Sequence, residues 1–346
     1  VFPDDYLDYL FMPTRTDILG IGQSVVGLSV QVPQNLLDEV KLPCGGEFAL
    51  VTPSEQRAFI RRLSSFGLRP CEDVGGSVVN SVLAAGSLRG ESRLISRVGS
   101  DDRAARFVSA VREHGVRFNP ISVEGATAAC LVAVAPDGQR FMRTTLGVAD
   151  TVSPDDIKPA MVRQARWTLL EAYMLNCSGG LESLQHALQS ARRRAEAAVA
   201  LTLSDTSIVR RHHSALQELL PQCDLVFGNA NEARAMAATE CLREALTILG
   251  RQVRTAVVTE GANGAYVVEE QRVEHIPGRP SEAVDTTGAG DAFAGALLTA
   301  LARGVAIKES VEGANLVASR VVEQMGVRVP APAVAEWGEQ MNFKVD

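Results

Sequence analysis

The chain has 346 residues, 46% of them hydrophobic and 22% charged, with a formal net charge of -7. That suits a soluble enzyme with a packed core, in one large α/β domain or two smaller ones; no basic run suggests a nucleic-acid surface, and no apolar run approaches the ~18 residues of a membrane span. Six cysteines (Cys44, Cys71, Cys130, Cys177, Cys223, Cys241), with no CxxC pair and no histidine at metal spacing, predict reduced, mostly buried thiols in a cytoplasmic protein rather than a disulfide frame or a zinc site.

The opening "VFPDDYLDYLFMPTRTD" lacks the basic end and apolar run of a signal peptide, and residues 1–16 read as an N-terminal extension. "DILGIG" (17–22) is a short apolar run ending in glycine, as a buried strand does. Pro53-Ser54 opens a helix to about Ser65, and "SVVNSVLAAGSLR" (77–89), after Gly75-Gly76, has helical apolar spacing. "SRLISRVG" (92–99) reads as a strand and "DDRAARFVSAVREHG" (101–115) as a helix ended by glycine. "AACLVAVAPDGQRFMRTTL" (128–146) places two β-prone runs around Pro136-Asp137-Gly138, a hairpin that leaves the main alternation. "WTLLEAY" (167–173), "AVALTL" (198–203), "DLVFGN" (224–229) and "RTAVVTEG" (254–261) are buried strands with helices between them, "GAYVVEEQRVEHIPG" (264–278) is an antiparallel pair, and two helices at about 290–303 and 307–325 end the fold. Near-continuous apolar strands separated by helices imply a mostly parallel sheet covered on both faces. The chain shows no internal repeat and no low-complexity linker.

The chemistry gathers at "DTTGAGD" (285–291), directly before the apolar run "AFAGALLTAL". Gly288 and Gly290 can take positive φ and Ala289 is small, so successive backbone N–H groups can form a nest for an anion, with the dipole of the following helix behind them. Asp291 would repel that anion unless it does compensating work. It can take a proton from an incoming hydroxyl while the nest holds charge on a transferred phosphoryl group. Alternatively it only complements the helix dipole. No GxxxxGK[ST] stretch occurs, and "GIGQSVVG" (20–27) has Val25 where a dinucleotide fingerprint needs its third glycine.

"VDTTGAGDAFAGALL" resembles the C-terminal signature of the ribokinase-like carbohydrate kinases, a family that includes ribokinase, adenosine kinase and the minor phosphofructokinases. "GGSVVNS" (75–81), "RVGSDDRAARFVSAVREHGV", "NANE" (229–232) and "VVTEGANGAYV" resemble further family motifs, so the similarity runs from about 17 to 330. "GGSVVNS" and "LEAYML" are closer to the adenosine kinase-like branch than to ribokinase. The resemblance implies a three-layer α/β/α sandwich, here 17–346, with a small β-sheet lid from about 27–52 and 120–147. It also implies ATP and Mg²⁺ as reactants, K⁺ as a third ion, and a sugar or nucleoside acceptor. The lid serves relatives as a monomer's flap or as a homodimer interface.

Carried over by position, Asp291 would be the base, and the amides of Gly288, Ala289 and Gly290 the anion hole. Asn229 and Glu232 would lie near the phosphates, Glu232 holding Mg²⁺ through water; the other reading of NxxE is a helix capping box. Thr259 and Gly261 would border the nucleotide and Asn315 face the adenine, unless Asn315 is simply a polar helix position. Asp285 matches the monovalent-cation loop, or organises the turn by Asx hydrogen bonds. Gly75 and Gly76 would be the lid hinge. Asn80 would bond a sugar hydroxyl or serve as a buried helix residue. One departure stands out. The family commonly has an Asp five residues after the second glycine of the first-strand "GxG", where it receives two sugar hydroxyls; here that position is Gly27. Another residue substitutes, the substrate differs, or the sugar site has decayed. Two functions follow: a sugar or nucleoside kinase, or a catalytically weak relative that binds a ligand and regulates.

Overall fold

The structure, a computed structural model, describes residues 15–36, 48–136 and 140–343. Most of the expected extension and the tip of the 128–146 hairpin therefore lie outside the described residues. Thr16, assigned to the extension, already opens the first strand.

Among the described residues sixteen strands form three sheets. They are β1 (Thr16–Ile21), β2 (Val25–Gln31), β3 (Phe48–Leu50), β4 (Cys71–Gly75), β5 (Ser92–Ile95), β6 (Arg97–Val98), β7 (Arg117–Phe118), β8 (Ile121–Ser122), β9 (Ala128–Val134), β10 (Arg140–Thr145), β11 (Ala165–Glu171), β12 (Ala198–Thr202), β13 (Leu225–Asn229), β14 (Thr255–Thr259), β15 (Gly264–Glu269) and β16 (Arg272–Pro277). The main sheet has nine strands in the order β16-β15-β14-β13-β12-β11-β1-β5-β7. It is parallel from β14 to β7, while β15 and β16 add antiparallel. The run read as one strand at 92–99 is two, because β6 leaves the main sheet to pair with β8.

Alternate residues of the main strands enter two separate cores. Ile18, Leu169, Ala200, Phe227 and Val257 face one side, and Leu19, Leu170, Leu201, Val226 and Val258 face the other. This two-sided burial is why the strands read as continuous apolar runs. Helices α2 (Ser77–Ser87), α3 (Asp102–Glu113), α10 (Ala289–Ala302), α11 (Ile307–Val321) and α12 (Ala331–Gln340) cover the first side. Helices α4 (Pro159–Gln164), α5 (Gly180–Ala191), α6 (Thr206–Arg211), α7 (His213–Leu219), α8 (Ala230–Ala237) and α9 (Leu242–Gln252) cover the second. The result is the expected three-layer sandwich. It ends in three helices rather than two. Pro330 and Pro332 had masked α12, yet proline before and inside a first turn suits a helix start.

The smaller sheet has the order β3-β10-β9-β2-β4. Its strands come from residues 25–31, 48–50, 71–75, 128–134 and 140–145. β8 lies outside it, and β4 joins it directly before Gly75-Gly76. Helix α1 (Pro53–Ser65) buries Leu63 in the same cluster as Val26, Leu28, Val30, Leu131 and Phe141 of the small sheet. A capping box between Thr52 and Glu55 starts that helix.

The strand order reverses at β1, whose neighbours β5 and β11 lead away in opposite directions. Ligands in open α/β sheets bind at such a switch point, beyond the carboxyl ends of the strands. Close packing brings the helices there. A Cβ on Gly20 would lie 2.6 Å from Cγ1 of both Val78 and Val82, so α2 rests directly on β1. A Cβ on Gly295 would lie 2.3 Å from the Ser81 carbonyl, so α10 rests directly on α2. Gly295→Ala should therefore force the two helices apart and cost about 1–3 kcal/mol. Urea denaturation measures this, and an unchanged midpoint would refute the close approach.

Candidate active site

Asp291 sits in the first turn of α10. Gly288, the N-cap, has φ +74°, and a Cβ there would also strike Val327 at 2.5 Å. Both observations require glycine. Gly290 differs from expectation: it is helical, with no positive φ, and a Cβ on it would meet nothing within 4 Å. Its smallness keeps open the space in front of the helix; it does not shape the turn. The amides of Gly288 and Gly290 precede any intrahelical acceptor, as at every helix start, and the Ala289 amide makes only a long turn bond to Thr286.

The Asp291 carboxylate is held from α2. Ser77 Oγ donates to Oδ1 at 2.7 Å and Asn80 Nδ2 donates to Oδ2 at 2.9 Å. Burial pushes its pKa up from 3.8 to about 6, with the two hydrogen bonds opposing the shift. Asn80 Oδ1 is buried without a partner among the described residues, which leaves an acceptor free beside Asp291. The pocket around them is lined by Ser77, Gly290, Asp291 and Phe293 on one side and by Thr202, Ser204, Phe227, Gly228, Asn229, Glu232 and Thr259 at the ends of β12, β13 and β14 on the other.

Asn229 and Glu232 form a reciprocal capping box at the start of α8. Asn229 Oδ1 accepts from the Asn231 and Glu232 amides, and Glu232 Oε2 accepts from the Asn229 amide at 3.0 Å. A Cβ on Gly228 would lie 2.6 Å from that Oε2, so the glycine admits the carboxylate. Burial raises the Glu232 pKa to about 7, with the charges of Asp205 and Asp291 adding to the rise. Asp285 Oδ1 accepts from the Thr287 amide and hydroxyl, and Oδ2 from the Gly326 amide, so the turn is tied to the segment after α11.

Asn315 and Gly261 do not line this pocket. Asn315 Nδ2 donates to the carbonyls of Ile276 and Pro277, bracing α11 on β16. Gly261, with φ +55°, begins a short turn after β14. Gly76 has φ +105°, and a Cβ there would strike the Gln23 carbonyl at 2.4 Å, so the two connections into the small sheet touch at Gly76.

Three features escaped sequence reading. Glu171 is almost completely buried at the end of β11, where it accepts from the Gln23 amide at 2.6 Å and the Val78 amide at 3.0 Å. It occupies the space that a Cβ on Gly22 would need, and burial raises its pKa to about 7. A lone acid inside "TLLEAY" was its signal. Ser77 was visible only as part of "GGSVVNS". Ser204, at φ +70°, holds a strained conformation at the pocket wall that no sequence feature announces. Of the five described cysteines, Cys177 and Cys223 are buried but Cys71 and Cys241 are exposed, so the thiols are less uniformly buried than expected.

A family profile described as pfkB family carbohydrate kinase matches residues 69–334. Adenosine kinase 2 of Arabidopsis thaliana is 26% identical over 337 residues, covering 90% of this chain and 95% of the relative. Aminoimidazole riboside kinase of Salmonella typhimurium is 29% identical over 277 residues, covering 75% and 84%. The crystal structure of adenosine kinase from Sinorhizobium meliloti superposes with a TM-score of 0.86 at 29% identity, covering 94% of this chain and 99% of that one.

The raised carboxyls fix a sign. Asp291, Glu171 and Glu232 keep protons in the folded state that the unfolded chain has already released, between their ordinary values of 3.8 and 4.5 and their folded values of about 6 and 7. Where the folded state binds more protons, stability falls as pH rises. His212, whose pKa is lowered by burial, opposes this below 6.5 but is a single, less buried group. The Tm of the ligand-free protein should fall between about pH 5 and pH 8. Differential scanning calorimetry across that range tests this, and a rising Tm would contradict it.

Proposed function

The chain belongs to the pfkB family of carbohydrate kinases and is a sugar or nucleoside kinase; within that activity we propose that it transfers the γ-phosphoryl group of ATP to a hydroxymethyl group of a nucleoside, with Asp291 as the base. The observation that carries this reading is the Asp291 carboxylate, held by Ser77 and Asn80 at the open N-terminus of α10. The names of the relatives, adenosine and riboside kinases among them, favour a nucleoside acceptor.

In this mechanism Asp291 accepts the proton of the acceptor hydroxyl, whose oxygen attacks the γ-phosphorus. The bond from that phosphorus to the bridging oxygen breaks and ADP leaves. The amides of Gly288, Ala289 and Gly290 hold the charge on the transferred group. A base with a pKa near 6 is ionised at neutral pH yet retains proton affinity. Asn80 Oδ1 would take a second hydroxyl of the acceptor.

ATP would arrive as its Mg²⁺ complex. Besides its burial, the charges of Asp205 and Asp291 raise the proton affinity of Glu232, so bare phosphates would be repelled. No cluster of three metal-ligating side chains occurs among the described residues. That suits Mg²⁺, which keeps several waters and takes few protein ligands, with Glu232 reached through water. Thr259 borders the phosphate side of the pocket. A K⁺ ion would belong to the Asp285 turn, and no step depends on it.

A regulator without turnover is the second reading, favoured by Gly27. A coupled ADP-release assay over nucleosides, pentoses, ketohexoses and phosphosugars decides between them. The kinase should turn over at least one of these above background ATP hydrolysis, and Asp291→Asn should lower that turnover by a factor on the order of 10² with ATP affinity nearly kept. Undiminished turnover in the variant would overturn the assignment of the base.

The pH profile gives an independent reading. Activity should require ionised Asp291, so kcat/KM should fall on the acid side with an apparent pKa near 6. Ser77 donates to the ionised carboxylate and lowers that value. Ser77→Ala should therefore move the acid limb to higher pH, and a limb that stays in place would refute the link.

A further inference from the structure

Gly27 and Asp73 are register partners in the antiparallel pair β2–β4, so their side-chain positions lie on the same face of the small sheet. It is the face away from α1: the neighbouring pairs Val26–Val74 and Leu28–Glu72 point the other way, and Val26, Leu28 and Val74 enter the core that Leu63 of α1 joins. Position 27 itself is open. It has no positive φ, and a Cβ there would meet only the Asp73 carbonyl, at 3.6 Å.

Asp73 is oriented towards the phosphate-side loop. Its Oδ1 accepts from the Val74 amide at 2.7 Å and from Arg328 Nη2 at 3.0 Å. Arg328 follows Val327, which packs on Gly288, and Gly326, whose amide bonds Asp285. The Asp73 side of the small sheet is thus joined to the loop that precedes Asp291. Among the described residues both contacts fall on Oδ1, which leaves Oδ2 available. Arg328 Nη1 is buried with no partner among the described residues. Asp73 offers an acceptor and the Arg328 guanidinium a donor, the two groups a hydroxyl needs.

We infer that Asp73, with Arg328 beside it, supplies from β4 the hydroxyl-binding carboxylate that position 27 of β2 lacks, so that the acceptor is a riboside held by its vicinal diol against the hinge end of the lid. This rests on the kinase reading for what the lid covers. The missing acid is supplied one strand over, from the register partner of Gly27. Asp73 is a specificity residue that touches the acceptor's hydroxyls and takes no part in proton transfer.

The test is calorimetric. Adenosine, inosine, guanosine and cytidine, each beside its 2′,3′-dideoxy analogue, are titrated into the wild type, Asp73→Asn, Asp73→Ser, Gly27→Asp and the double variant Gly27→Asp/Asp73→Asn. ATP titration and Tm report on folding. The wild type should bind at least one riboside about tenfold or more tightly than its dideoxy analogue. Either removal of the Asp73 carboxylate should shrink that preference to within about threefold, and the double variant should restore about tenfold. Gly27→Asp alone should gain nothing, because it sets two carboxylates directly opposite one another. A diol preference that survives in Asp73→Asn and Asp73→Ser would overturn the inference, as would a wild type that binds no riboside or shows no diol preference. Binding and turnover fail separately: a diol preference lost with Asp73, in a protein that phosphorylates no acceptor, would refute the kinase reading and leave this one standing.

Discussion

One constraint governs the site: the Asp291 carboxylate belongs to α10 but is held in place by α2. Its two hydrogen-bond donors, Ser77 and Asn80, lie on a helix more than two hundred residues away in sequence. They reach it only because α2 lies directly on β1 through Gly20, and α10 lies directly on α2 through Gly295. A Cβ at either glycine would move one helix relative to the other. The position of the proposed base is therefore decided by backbone contacts deep in the first core as much as by the loop that carries it.

Glu171 performs a similar task for the small sheet. One buried carboxylate receives the Gln23 amide, which leads into β2, and the Val78 amide, in the first turn after Gly75-Gly76. Both connections are thereby fixed to the end of β11. Glu232 and Asp291 line the pocket, and in the proposed kinase their charges lie where a nucleotide's phosphates would approach. Such a field favours a nucleotide that brings a divalent cation over one that does not.

The layers of the fold were legible because each main strand is buried on both sides, which leaves unbroken apolar runs, and because the hairpin of β9 and β10 breaks the alternation. β4 was not legible. "CEDVG" has neither β-branched alternation nor an apolar run, since its strand lies at a sheet edge with Cys71, Glu72 and Asp73 exposed. Within the site, "DTTGAGD" announced a helix start, and α10 begins there. The sequence suggested positive φ at both glycines, but only Gly288 needs it. Composition cannot tell a glycine required for a turn from one required for empty space. Glu171 was visible as a lone acid in a buried strand, but the partners that make it informative are amides at positions 23 and 78. The role inferred for Asp73 depends on strand register, which no local pattern encodes.

The small sheet shares the first core. Leu63 of α1 and the inward residues of β2, β9 and β10 belong to the same continuous buried cluster as one side of the main sheet. In the proposed kinase a sheet already stiffened by a packed helix would close over the acceptor with little further loss of its own conformational freedom. Most of the ordering entropy has been lost during folding, before any acceptor arrives. Much more of the contact energy with the acceptor then remains available as affinity than if a floppy loop had to be ordered around it.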